Sequence, residues 1–456
     1  MGKKIPVTTR LTLMTGWLAF SVLLVAAPSS GCRPKRAEPG ATASRQEGPT
    51  PSRVKSGLEV LLESRLDLLR GKRVGLITNP SAVDGRLESA VDLFARNPAI
   101  RLTALYGPEH GVRGNAQAGE YVPFYTDVQY KIPVFSLYGQ SMKPPAGMLR
   151  DIDEYMRSFD TTRTDKIPQG GMIEDIEIMV FDIQDVGTRI YTYIATMAYA
   201  MQACAESGIP FIVLDRPNPI NGLKMEGPVL EYPEFSSFIG LYPIPLRFGM
   251  TSGELALFFN ANFLEKQASL TVIPMEGWKR GMWFDDTGLP WVMPSPNMPT
   301  LETAAVYPGQ VAIEGTNLSE GRGTTRPFEL FGAPWIDGTE LSRKLNALGL
   351  PGIGFREAWF TPVFSKFQGE PCGGCQLHVL DRRSYRPLET ALHIIKTVRD
   401  MHPDKFRFHS DYFDKVMGTV RVREALESGA GVMDIMESFK EEMARFANLR
   451  EPYLLY

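Results

Sequence analysis

Four short aliphatic runs, at residues 74–78, 102–106, 176–181 and 211–214, each stop in a cluster of Gly, Pro and polar residues and then give way to a stretch of helical character. A parallel sheet imposes that rhythm, because parallel neighbours need long crossovers and the crossover helices cover both faces of the strands. The fold class is therefore α/β with a parallel sheet. Ligands of open α/β sheets bind outside the carboxyl ends of the strands. Here those ends read Asn79-Pro80-Ser81, Gly107-Pro108-Glu109-His110, Asp182 with Gln184 and Asp185, and Asp215-Arg216-Pro217-Asn218-Pro219, and together they predict one polar cleft. Helices are expected over 191–207 and over 252–267, the second capped by Thr251 or Ser252. Past residue 270 the pattern changes to Trp- and Pro-rich loops, then short strands and two late helices at 388–399 and 433–446. This divides the chain into an α/β domain over 56–298 and a smaller α+β domain over 299–456.

The division suits a chain of 456 residues, since single cores stop growing near about 250–300 residues. With 43% hydrophobic and 22% charged residues a packed core can form, and a net charge of -3 with no dense basic stripe argues against a nucleic-acid partner. Lys3, Lys4 and Arg10 precede an apolar run at 11–28 that ends in Ser29-Ser30-Gly31-Cys32, the order of a secretory signal peptide over 1–32. The ending resembles a lipoprotein signal with Cys32 as the lipidated residue, although Ser29 stands where an aliphatic residue is usual; simple cleavage and an uncleaved anchor are the alternatives. An exported protein, periplasmic or at the cell envelope and held to the membrane by a lipid, is the expectation. Residues 33–55, rich in Pro, Ala, Gly, Ser and Arg without periodicity, read as a flexible tether. Cys204 reads as a buried small residue, and Cys372-Gly373-Gly374-Cys375 as a local disulfide or two free thiols in a turn, since no second Cys or His pair stands at zinc spacing. No metal site is expected, and the absence of GxGxxG or GxxxxGK[ST] after any strand gives no support to a nucleotide cofactor.

Chemistry concentrates in four places. Glu109, His110 and Arg113 lie within five residues of a glycine-rich loop, where a desolvated carboxyl can serve as general acid with an imidazole or guanidinium beside it; the plainer reading is a capping Glu and an ion-paired Arg. Asp182, Gln184, Asp185, Arg189 and Tyr191 follow the third run, either as sugar-binding groups or as caps and ion pairs, and Asp215, Arg216 and Asn218 pose the same choice between hydroxyl binding and a locked turn. Residues 314–326 gather Asn317, Glu320 and Arg322 among glycines, too polar for a core and suited to an anionic or hydroxyl-rich ligand. Gly-x-Ser-x-Gly is absent, and His393 lies in an apolar helical stretch and reads as structural.

Taken together, residues 57–62, 71–80, 107–114, 181–193, 215–222 and 314–329 resemble those of the NamZ-type exo-β-N-acetylmuramidases, a glycoside hydrolase family first described as a domain of unknown function, and the likeness runs from Ser56 to Tyr456. The resemblance implies a Rossmann-like N-terminal domain, a smaller C-terminal domain, a cleft between them, no cofactor, and removal of terminal N-acetylmuramic acid (MurNAc) from the non-reducing end of peptidoglycan fragments. The family's Gly-Pro-Glu-His-Gly motif falls on residues 107–111, making Glu109 the catalytic carboxyl and His110 its partner. It further implies that Arg113, Arg189 or Arg322 binds the lactyl carboxylate and that Asp182, Asp185 or Glu320 supplies a second carboxyl, with Asn79, Gln184, Tyr191, Asp215, Arg216, Asn218 and Asn317 contacting substrate. Phe248 and Cys375 depart from the family pattern and bear on substrate preference. The alternatives are a muropeptide-binding lipoprotein that does not cleave, which the intact Glu109-His110 pair argues against, and an exported esterase or amidase.

Overall fold

The computed structural model describes residues 53–117, 120, 122–137 and 176–456; the expected signal peptide, Cys32 and the tether up to residue 52 lie outside the described residues. The last residues assigned to the tether belong to the fold, for Val54 is 1% exposed and Lys55 bridges to Glu276.

In chain order the N-terminal part runs α1 (Gly57–Ser64), β1 (Arg73–Thr78), α2 (Ala90–Arg96), β2 (Arg101–Gly107), β3 (Tyr125–Thr126), β4 (Pro133–Ser136), β5 (Ile178–Asp182), α3 (Tyr193–Ser207), β6 (Phe211–Leu214), β7 (Glu226–Val229), β8 (Pro245–Arg247), α4 (Ser252–Asn262) and β9 (Leu270–Ile273). It continues with α5 (Leu301–Glu314), β10 (Leu330–Ala333), α6 (Gly338–Ala347), β11 (Ile353–Phe360), β12 (Cys372–Val379), α7 (Pro387–Met401), α8 (Ser410–Met417), α9 (Arg421–Glu427), α10 (Val432–Glu437) and α11 (Lys440–Arg450). All four expected strands are present, and seven strands form one sheet in the order β3-β4-β2-β1-β5-β6-β9, parallel throughout except for β3 against β4. The order reverses between β1 and β5. At such a switch point an open α/β sheet binds its ligand, in the crevice outside the carboxyl ends of its strands.

Strand residues alternate between two cores. Leu76, Val180, Ile212 and Leu214 pack on one side with Leu58 and Leu61 of α1 and Phe94 of α2. Ile77, Met179, Phe181 and Val213 pack on the other with α3 and α4, and that core runs on without a break into residues of α5 to α11. There β10, β12 and β11 form an antiparallel sheet in that order, with α6 against it, and β7 pairs with β8.

The second half departs from the expectation in three places. The helix expected at 433–446 is two, α10 and α11, because Phe439 turns into the core between them. Cys372 and Cys375 lie on strand β12, not in a turn; three positions apart they point to opposite faces, and both are buried free thiols, as is Cys204 in α3. Most consequentially, residues 301–314 form the nearly fully buried helix α5, with Pro308 inside it.

Candidate active site

The crevice is built from side chains that first satisfy one another. Past the end of β1, Asn79 Oδ1 accepts from the Ser81 amide at 3.0 Å and its hydroxyl at 2.5 Å, while Nδ2 donates to the Pro294 carbonyl at 3.0 Å. Tyr193 Oη donates to the same Pro294 oxygen at 2.5 Å, which pins the 294 loop over the switch point. Past β5, the Gln184 amide donates to Ser81 Oγ at 3.1 Å, and Gln184 Nε2 donates to the carbonyls of Asp185 and Pro217, each at 2.7 Å. Asp182 and Arg216, both buried, form a two-pronged ion pair at 2.5 and 2.9 Å, and Arg216 also donates to the Val83 carbonyl.

Above this floor stands Glu109, half-buried just beyond β2. Thr192 occupies the N-cap position of α3 but gives its hydroxyl to Glu109 Oε2 at 2.7 Å instead of capping the helix. His110 takes a left-handed backbone, φ 72°, and is 6% exposed; its Nδ1 lies 2.8 Å from the Ala116 carbonyl, which can only accept, so Nδ1 carries the proton and Nε2 of the neutral ring is an acceptor. Tyr191 packs edge-on against Tyr193 at 4.9 Å and Tyr307 at 5.9 Å. Burial pushes all three phenols up, and the charges of Glu109 and Asp185 push Tyr193 and Tyr307 further. Asp185 accepts from the Gly187 amide at 2.6 Å through Oδ2, while Oδ1 has no donor among the described residues; burial raises this carboxyl to about 7. A carboxyl titrating near neutrality and a second carboxyl gripped by a hydroxyl, among tyrosines that stay protonated, suit proton transfer to a bridging oxygen.

The C-terminal half reaches the same neighbourhood through Tyr307, which feels both Glu314 and Arg322. Arg322 lies over the Phe328 ring and donates Nε to Glu314 at 2.7 Å, with Glu320 at 3.5 Å; its Nη groups have no hydrogen-bond acceptor among the described residues. Tyr412 donates to Glu314 at 3.2 Å, and Lys366 pairs with Glu320.

Several candidates thus turn out to be scaffold. Arg189 is buried with its guanidinium on the carbonyls of Pro228, Ile244 and Val416, so it cannot reach a lactyl group. Asp215 accepts from Thr251, Gly253 and Tyr456 at the start of α4, and Asn218 bridges Met250 and Ile220. Asn317 is locked to Lys405 and Arg407, and Arg113 pairs with Asp127 at 2.5 Å on a side chain 54% exposed. Asp182, Arg216, Gln184 and Asn79 hold the crevice rather than face it. The structure brings Glu109, Asp185 and Tyr191 together around Tyr193 and Tyr307, with Arg322 reaching them through Tyr307 and Glu320 through Arg322, while His110 follows Glu109 in the chain and turns its ring to Ala116. Sequence reasoning missed Thr192, Tyr193 and Tyr307, and placed Glu314 in a loop where it is the last residue of α5. Tyr191-Thr192-Tyr193 at a helix start was a usable signal for the first two; Tyr307 was hidden in a helix interrupted by Pro308. Among the described residues no three or more His, Cys, Asp or Glu side chains group as a metal site.

A parallel sheet with carboxyls, amides and tyrosyl hydroxyls beyond its strand ends at a switch point places the chain among the α/β proteins that bind a polar ligand there. The chain matches "Exo-beta-N-acetylmuramidase NamZ, N-terminal" over residues 74–160 and 155–302, and the C-terminal counterpart over 305–456. It belongs to the NamZ exo-β-N-acetylmuramidase family. It is 49% identical over 449 residues to the peptidoglycan beta-N-acetylmuramidase NamZ of Bacillus subtilis (strain 168), covering 98% of this chain and 99% of that protein. Two solved structures of DUF1343 family proteins from Bacteroides fragilis are also similar, with TM-scores of 0.76 and 0.65 at 37% and 29% identity. In both cases 89% of this chain and 99% of the other are covered.

Proposed function

We propose that this protein is an exo-acting glycoside hydrolase that releases terminal MurNAc from the non-reducing end of peptidoglycan fragments, with Glu109 as the acid. The observation that carries the assignment is the Thr192–Glu109 contact of 2.7 Å, which fixes a half-buried carboxyl at the switch-point edge beside Tyr193 and Tyr307. Glu109 protonates the glycosidic oxygen as the bond to the anomeric carbon lengthens through an oxocarbenium-like transition state. His110, held by Ala116, presents Nε2 as a positioning acceptor. Of the three arginines expected to read the lactyl carboxylate, Arg322 is the one whose Nη pair has no acceptor among the described residues, and a planar fork suits a carboxylate.

The experiment is release of free MurNAc from MurNAc-GlcNAc, followed by mass spectrometry, for wild type and Glu109→Gln. General acid catalysis is worth ~10²–10⁴-fold, so loss on that scale is expected with Glu109→Gln; near-normal turnover overturns the assignment. Arg322→Gln is expected to narrow the preference for MurNAc over GlcNAc termini. We also propose that the mature protein is a cell-envelope lipoprotein anchored through Cys32, supported by the Lys3–Cys32 sequence pattern. Labelling with an alkynyl fatty acid that is lost in Cys32→Ala tests it.

A further inference from the structure

A groove of about 660 Å³ lies on the small antiparallel sheet, lined by Thr325, Arg326, Leu330, Arg356, Glu357, Ala358, Trp359 and Gln376. Its floor follows from strand register. Leu330 pairs with Gln376 and Gln376 with Arg356, so these three form one row across β10, β12 and β11 on the face opposite the core residues Phe331, Leu377 and Phe355.

The charge in that row has no ionic partner among the described residues. Arg356 is exposed, and its hydrogen bond goes to the neutral amide oxygen of Gln376 at 2.7 Å. The one carboxyl in the lining, Glu357, has one oxygen on Thr339 at 2.8 Å and the other on Trp359 Nε1 at 3.0 Å. Arg326 is tied to Glu329. Trp359, three positions along edge strand β11 from Arg356 and so rooted on the other face of the sheet beside Gly373, is 63% exposed and reaches the groove at that edge as a large amphipathic surface. A guanidinium with no ion-pair partner among the described residues on the floor and an exposed indole at the edge of one groove suit a ligand that carries a carboxylate on a ring with an apolar face.

The groove and the candidate active site share a loop. Arg322, beside Glu314 and Tyr307, is followed three residues later by Thr325, which lines the groove, so their Cα atoms are at most about 11 Å apart. The loop is also fastened to the segment after β11. Val363 donates to the Gly323 carbonyl at 2.9 Å, and a Cβ at Gly323, φ 79°, would sit 2.4 Å from the Phe364 carbonyl, so only glycine allows the approach.

We propose that this groove is a second carbohydrate subsite, which takes the leaving-group portion of the glycan beyond the cleaved bond, with Arg356 receiving a carboxylate of the next MurNAc unit and Trp359 flanking its ring. The proposal rests on the hydrolytic reading above. An exo enzyme holds its released sugar in the crevice and its remaining chain outside, and the remaining chain is anionic at every second ring, either on the lactyl group itself or on a stem peptide attached to it.

Kinetics with MurNAc-GlcNAc and with the tetrasaccharide MurNAc-GlcNAc-MurNAc-GlcNAc test it, for wild type, Arg356→Gln and Trp359→Ala, with melting temperatures measured alongside to confirm that both surface variants fold. Each variant is expected to raise KM for the tetrasaccharide about tenfold, the loss of one good contact, while leaving kcat and every disaccharide constant at the wild-type value. No change on the tetrasaccharide, or equal changes on both substrates, overturns the proposal. A tetrasaccharide whose inner MurNAc carries a stem peptide separates the two carboxylate sources: whichever substrate loses more in Arg356→Gln supplies the anion. If wild type cleaves neither glycan, the hydrolytic reading fails, and calorimetry then decides the groove alone. Weaker tetrasaccharide binding by Arg356→Gln upholds the groove, and equal binding removes it.

Discussion

At Asp185 the protein keeps a carboxyl out of water with one strong backbone donor, Gly187, on one of its oxygens. Its ordinary value of 3.8 rises to about 7 in the fold because burial disfavours the charge. Below pH 4 both folded and unfolded chains hold the proton. Between about 4 and 7 the unfolded chain releases it and the folded chain does not, so stability falls as pH rises through that window, by an amount on the order of 4 kcal/mol if the full shift is realised. Asp185→Asn should therefore gain stability relative to wild type at pH 7.5 but not at pH 4.5, read as urea midpoints; a pH-independent difference would show that the carboxyl is not held neutral. At Thr192 the expectation concerns turnover. Thr192→Val removes the hydroxyl on Glu109 from a helix start that does not use it as a cap, so kcat should fall with little change in melting temperature. The Asp182–Arg216 pair behaves in the opposite way: Arg216→Ala leaves a buried carboxylate alone and should cost about 3–5 kcal/mol in chemical denaturation.

At the scale of elements, the α5–α7 crossing is a tight joint. A Cβ on Gly309 would sit 1.9 Å from the Pro387 carbonyl. Gly309→Ala, favourable by helix propensity, should instead destabilise by about 1–3 kcal/mol through overpacking, seen as a lowered melting temperature. The start of α7 is satisfied from another strand. Glu226 on β7 accepts from the amides of Leu388 and Glu389, so Glu226→Ala removes a cap worth about 1 kcal/mol. These joints explain what could be read in advance. Strands β1, β2, β5 and β6 were legible because a buried parallel strand is a short apolar run with an abrupt polar end, and nothing distant alters that. Helix α5 was not, because Pro308-Gly309 reads locally as a break, and only the close approach of α7 makes glycine the right residue there. The site was half legible for the same reason. Polar strand ends announce a crevice, but whether Asp182 meets substrate or Arg216, 34 residues on, is decided by three-dimensional pairing.

In the whole molecule, the core on one face of the large sheet is continuous with α5 to α11. Residues Ser52 to Tyr456 should accordingly unfold as one unit, with circular dichroism and tryptophan fluorescence giving coincident transitions; two separated transitions would show that the halves are energetically independent. Arg189 makes the dependence concrete. Its buried guanidinium, pushed down to about 9 by desolvation, is held by carbonyls at Pro228, Ile244 and Val416. During synthesis from the N-terminus, the third of those carbonyls emerges more than two hundred residues after the arginine it receives. Until then the half-made protein carries a cation whose place in the interior is unfinished, so a nascent chain stalled near residue 300 should be a client for chaperones and proteases rather than a waiting domain.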